Sequence, residues 1–168
     1  LKFNNKNNGP QINRANQVWA IDITYIPMKK GFMYLTAIID LHTRFVVGWS
    51  VSNSMDAEWC KQTVEQAIAE HGKPEIINTD QGSQFTSSVF TDYILNQAEI
   101  RLSMDGKGRA TDNAFIERLW RSVKYEKLYL QPPIDGHDLW QKIEDYFHYY
   151  NFERRHSAIE DRRPFEMY

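Results

Sequence analysis

The stretch QVWAIDITYI, residues 17–26, decides how the rest of the chain is read. Its apolar and β-branched residues and its length are those of a β-strand. Yet Asp22 stands in the middle of it. A carboxylate in a buried strand is costly unless a hydrogen bond, a counter-charge or a metal ion receives it.

Working outward, FMYLTAIIDL (32–41) and RFVVGWSV (44–51) have the same strand character. The short connections KKG (29–31) and HT (42–43) predict an antiparallel meander of three strands. The period then changes. Ala57, Cys60, Val64, Ala67 and Ile68 recur at helical spacing within 56–72, and Gly72 and Pro74 mark the stop. EIINTD (75–80) reads as a short buried strand ending in a polar turn, SSVFTDYILNQA (87–98) as a helix and IRLSM (100–104) as a strand. DGKGRATDN (105–113) is a Gly-containing loop. A long helix is predicted from about 113 to 130, stopped by Pro132 and Pro133, and a last helix over 137–151 carries an aromatic stripe. The order β-β-β-α-β-α-β-α-α predicts an α/β domain. Its five-stranded mixed sheet has three antiparallel and two parallel strands, flanked by helices.

Composition fits one domain. The 168 residues are 42% hydrophobic and 25% charged, as in soluble globular proteins, and no apolar run suits a membrane span. The opening LKFNNKNNGP lacks the apolar stretch of a signal peptide; residues 1–15 read as a linker and 16–168 as the single domain. Cys60 is the only cysteine, which excludes an internal disulfide and a cysteine-rich zinc site and fits a reducing cytoplasm. A net charge of −2 argues against a nucleic-acid binder of the basic-tail kind. Locally the balance reverses: between Lys107 and Lys124 there are five basic residues (Lys107, Arg109, Arg118, Arg121, Lys124) against two acidic ones (Asp112, Glu117).

Asp80 falls at the end of the fourth strand, where α/β sheets present functional groups. If strands one and four are neighbours, Asp22 and Asp80 approach each other. Two such carboxylates repel unless a cation sits between them, and hard oxygen donors suit Mg²⁺ or Mn²⁺. On the long helix, Ile116, Leu119, Trp120 and Val123 form the sheet-facing stripe. Glu117, Arg121 and Lys124 form a second stripe at i, i+4 and i+7, a carboxylate followed by two cations suited to neighbouring phosphates. Each residue alone has an ordinary reading: a hydrogen-bonded strand aspartate, a turn-starting aspartate, an i,i+4 ion pair. Taken together the three favour a metal site.

The blocks WAIDITYI, NTDQGSQF and SMDGKGRATDNAFIERLWRSVKYE resemble the three catalytic blocks of DDE transposases, closest to insertion-sequence family three within the retroviral integrase superfamily. The 36 residues between Asp80 and Glu117 (81–116) are close to that family's spacing, and Lys124 matches its basic residue seven past the Glu. The closing segment YYNFERRHSAIEDRRPFEMY is also similar to the family's. The resemblance implies an RNase H-like fold and a polynucleotidyl transferase that cleaves and joins DNA ends. Asp22, Asp80 and Glu117 would hold two Mg²⁺ ions, with Mn²⁺ able to substitute. It further implies mobile-element ends and target DNA as partners, homo-oligomers on paired ends, an upstream helix-turn-helix outside this chain, and a bacterial cytoplasmic, nucleoid-associated setting. Lys124, Arg121, Lys107, Arg109, Gln84 and Asn113 are the expected DNA contacts, Asn113 being also a potential helix cap. Two other readings stay open: a purely hydrolytic RNase H-like nuclease, and a non-catalytic integrase-fold domain that binds DNA. Trp120 and Trp140 read as core. Arg154, Arg155 and His156 read as a phosphate site or a surface patch. His42 and His148 have no metal-spaced partner.

Overall fold

The computed structural model describes residues 11–104 and 114–168. Five strands form one sheet: β1 (Val18–Pro27), β2 (Phe32–Asp40), β3 (Val46–Ser52), β4 (Ile76–Thr79) and β5 (Arg101–Met104), in the order β3-β2-β1-β4-β5. β1 pairs antiparallel with β2, β2 with β3, while β4 runs parallel to both β1 and β5. This is the mixed sheet expected, with β1 at its centre.

Alternation along β1 sorts its side chains onto two cores. Val18, Ala20 and Ile26 meet the apolar side chains of α4 (Ala114–Val123) and α5 (Gly136–Phe152), including Leu119, Trp120, Ile143 and Phe147. Trp19 and Ile21 meet Cys60, Val64 and Ala67 of α1 (Ala57–His71), together with Phe85, Phe90 and Ile94. Asp22 and Thr24 share the parity of the first set and so point toward α4. α1 packs close because β3 carries Gly48, where an added Cβ would lie 3.0 Å from the Ala67 Cβ.

Two buried polar residues fasten the sheet. Asp40, fully buried, accepts from the backbone N–H of Asn16 (2.7 Å) and of Thr43 (2.8 Å) and from the Thr43 hydroxyl (2.9 Å). It thereby closes the β2–β3 turn. Asn151 at the end of α5 imitates a strand partner: its Oδ1 accepts from Val46 N–H (2.8 Å) and its Nδ2 donates to Val46 O (3.0 Å).

The helices differ from expectation in detail. A short α2 (Ser83–Thr86) precedes the predicted 87–98 helix, which divides into α3 (Ser88–Asp92) and a π-helical turn, Tyr93–Gln97. The long helix likewise widens after α4 into a π-helical turn, Lys124–Leu128. A 3-10 turn (Ser157–Ile159) and α6 (Pro164–Met167) close the chain. Among the described residues no helix is long and apolar enough to cross a membrane.

Candidate active site

Parallel pairing matches Val18 with Ile76, Trp19 with Ile77 and Ala20 with Asn78. The same register carried two residues further sets Asp22 opposite Asp80, just past the end of β4. Parallel neighbours lie about 4.8 Å apart, and Asp80 is close enough to raise the pKa of the Asp22 carboxyl. The expectation that strands one and four are neighbours therefore holds.

α4 supplies the third wall. Residues four apart on a helix and two apart on a strand have nearly equal rise, about 6 and 7 Å. Trp120 and Lys124 accordingly match Asp22 and Thr24. The Trp120 indole Nε1–H donates to Asp22 Oδ2 at 3.0 Å, and Lys124 Nζ donates to Thr24 Oγ1 at 2.7 Å. From the opposite face of the sheet, the Thr36 hydroxyl of β2 donates to the Asp22 backbone carbonyl at 2.9 Å and braces the strand. Trp120 is thus core, as read, but its one polar atom grips Asp22.

Burial pushes the Asp22 carboxyl up from 3.8 to about 6; the Trp120 hydrogen bond opposes that rise and the neighbouring Asp80 adds to it. Lys124 is half-buried, which lowers its pKa, while the nearby Asp22 charge works the other way. Asp80 is held by its own turn: the Gly82 N–H donates to its Oδ1 at 2.7 Å. A Cβ on Gly82 would lie 2.5 Å from Gln84 Nε2 and 2.9 Å from Asp80 Oδ1, so the Gln84 amide lies beside the Asp80 carboxylate.

Neither Asp22 nor Asp80 is in an ion pair with another described residue. Two adjacent carboxylates, one strongly desolvated, form an anionic, all-oxygen donor set that fits a hard divalent cation. Glu117 is exposed on α4, and among the described residues no group of three His, Cys, Asp or Glu side chains is drawn together as a metal site. Arg121 is exposed, with its guanidinium 5.7 Å from the Tyr125 ring centre. Lys107, Arg109 and Asn113 lie outside the described residues.

Two readings need correction. Trp140 is 44% exposed and leans on Trp49 rather than filling the core. The Arg154–His156 cluster is not a free surface patch. Arg154 is bonded to Glu126 (2.6 Å), Arg155 donates to Asp161 O, and His156 is buried. Burial first, then Arg154, lowers His156 to about 4, so it is neutral at physiological pH. Sequence reasoning also missed Thr24 as a site wall. The match of an i,i+4 pair on α4 with an i,i+2 pair on β1 is the signal that would have found Thr24.

An integrase core domain family model matches residues 12–110, and a second of the same description matches 98–164. The transposase for insertion sequence element IS904 of Lactococcus lactis is 39% identical over 163 residues, covering 91% of this chain and 62% of the relative. Transposase InsF for insertion sequence IS3A of Escherichia coli is 35% identical over 145 residues, covering 84% and 50%. The chain thus spans between half and about three-fifths of the length of these curated relatives. The HTLV-2 integrase catalytic core, solved in complex with magnesium in a dimeric form, superposes with a TM-score of 0.73 at 22% identity, over 92% of this chain and 97% of that one. A simian T-cell lymphotropic virus intasome in complex with a PP2A regulatory subunit gives 0.79 at 20% identity, over 99% and 60%.

The fold is therefore RNase H-like, of the retroviral integrase type. The chain belongs to the integrase core domain family, and the curated relatives it resembles are transposases of insertion sequences.

Proposed function

We propose that this chain is the catalytic core of a DNA transposase, which cleaves the ends of a mobile element and joins them to target DNA by metal-dependent phosphoryl transfer. One observation carries the reading. Asp22 and Asp80 meet in a desolvated site walled by Trp120 and Lys124, in a chain whose relatives are transposases.

Asp22 and Asp80, joined by Glu117 from α4, would hold two Mg²⁺ ions, or Mn²⁺ in their place. When bound, such ions polarise the scissile phosphate and activate the attacking oxygen, first of water and then of a DNA 3′-OH. The chain's own residues prepare the site. Trp120 fixes the Asp22 carboxylate in one orientation, and the Gly82 N–H does the same for Asp80. With a pKa of about 6, Asp22 is mostly ionised at neutral pH and available as a ligand. Arg121 and Lys124 sit one and two turns past Glu117 and serve the phosphates that flank the reacting one; Gln84, Lys107, Arg109 and Asn113 add DNA contacts. No side-chain nucleophile is needed, because water and the 3′-OH are the nucleophiles.

The greater length of the relatives supports a parent protein with further domains, including an upstream DNA-binding unit that recognises the element ends. Residues 16–168 would act as the single catalytic domain, in homo-oligomers that bring two ends together in the bacterial cytoplasm, at the nucleoid.

The test is cleavage and joining of a labelled duplex carrying the parent element's end, with Mg²⁺, Mn²⁺ or EDTA, beside Asp22→Asn. Metal-dependent nicking and joined products, both lost in the variant, are expected. Nicking without joining would favour a hydrolytic nuclease. Full activity of the variant would overturn the site.

A further inference from the structure

A second concave site lies on the flank of α4. It is a cavity of about 460 Å³ whose lining includes Arg44, Phe115, Arg118, Arg121, Ser122 and Arg154. Among the described residues that line it there is no carboxylate. Arg154 is neutralised by Glu126. Arg44, Arg118 and Arg121 make no ion pair with any described residue. Like charges gathered in a half-buried hollow repel, and Arg118 already bears on Arg44.

The backbone is arranged to hold Arg44 there. Its φ of +66° lies in the left-handed region that non-glycine residues seldom occupy. The turn is stabilised by the Arg44 N–H donating to Asp40 O at 2.8 Å and by the buried Asp40 carboxylate. Its guanidinium donates to Leu41 O and sits 4.0 Å over the Phe115 ring. Strain retained at this turn, aiming a cation into a basic hollow, is the mark of a binding position.

We infer that this arginine pocket binds a backbone phosphate of DNA, as a second anchoring point beside the catalytic carboxylates. The inference rests on the reading that the chain acts on DNA. The helix links the two sites. At about 100° per residue, Lys124, Glu117, Arg121 and Arg118 follow one another around a continuous arc of α4. A strand crossing α4 with one phosphate at Asp22 and Asp80 therefore runs over Arg121 toward Arg118 and Arg44. Guanidinium groups with a serine hydroxyl suit a phosphodiester.

The test is the affinity of a fluorescent duplex without metal, measured across a salt series for the wild type and Arg118→Ala. Arg118 is exposed, so its truncation leaves the fold intact. Affinity should fall several-fold alike for unrelated sequences, and the salt slope should drop by about one. Arg44→Lys, which keeps the charge but not the planar fork, should give a smaller loss. Unchanged affinity and slope in Arg118→Ala would overturn the pocket. Metal-dependent cleavage lost in Asp22→Asn would still support the catalytic reading in that case, so the two failures are distinguishable. Inorganic phosphate separates sources. If it raises the melting temperature of the wild type only, while the DNA salt slope is unaltered, the site is a small-anion site and the inference fails.

Discussion

Asp22→Asn should stabilise the metal-free protein at neutral pH while abolishing catalysis. The folded-state pKa of about 6, against 3.8 for the free side chain, means that the folded protein binds this proton more tightly than the unfolded chain. Between about pH 4 and 6 the native state therefore holds more protons, and stability falls as pH rises. The penalty is fully present above pH 6 and vanishes below pH 4. At about 1.4 kcal/mol per pH unit the rise amounts to an upper limit of about 3 kcal/mol; the partial exposure of Asp22 brings it to about 1–3 kcal/mol. The substitution removes the charge but keeps an oxygen for the Trp120 N–H and adds an amide donor toward Asp80. For a chain of this length that gain is worth several degrees, roughly 2–4 °C per kcal/mol. The assay is thermal unfolding in EDTA at pH 7.5 and at pH 4. The variant should melt higher at pH 7.5, and the gap should shrink to a fraction at pH 4. Mg²⁺ should raise the wild type more than the variant, because the ion supplies the missing counter-charge. A variant equal to or below the wild type at pH 7.5, with parallel pH curves, would refute the desolvated-carboxylate account.

Trp120→Phe keeps the ring in the core but deletes the donor to Asp22. The Asp22 pKa should rise by about one pH unit, from the usual worth of a hydrogen bond to a charged group, and the acid limb of a metal-dependent cleavage profile should move up with it; an unmoved limb would remove Trp120 from the site. Gly82→Ala should displace the Asp80 carboxylate and the Gln84 amide, lowering cleavage at least tenfold with little change in melting temperature, as kinetics and calorimetry on one preparation would reveal. Asn151→Ala strips both polar groups of Val46 of their partners and should cost about 2–4 kcal/mol in urea unfolding, with DNA cleavage retained at low temperature.

Much of this was legible in the chain itself. Strand runs of period two, a helix of period 3.6 and short connections are local properties. They specify the meander, the later alternation and the presence of a carboxylate in β1, because backbone preference and side-chain direction act within a few residues. The parity of Asp22 with Val18 and Ala20 is local too, and it selects the face toward α4. Pairing is not local. That β4 lies against β1 in the register that sets Asp80 opposite Asp22 depends on long-range closure of the sheet.

The same limit hid the indole N–H on Asp22, since helical spacing says which side of α4 faces the sheet but not which atom meets which. It also hid the roles of two acidic residues. Asp40 and Asp22 look alike in strand segments, yet Asp40 is surrounded by N–H and O–H donors and serves the fold. Asp22 has the Trp120 indole and the Ile23 backbone as donors, a second carboxylate beside it and a raised pKa. The sequence by itself determined that the carboxylates exist and on which elements they lie. Only the packing of β1, β4 and α4 decided which of them meet and how dry their site is, because desolvation and hydrogen bonding depend on neighbours distant in sequence.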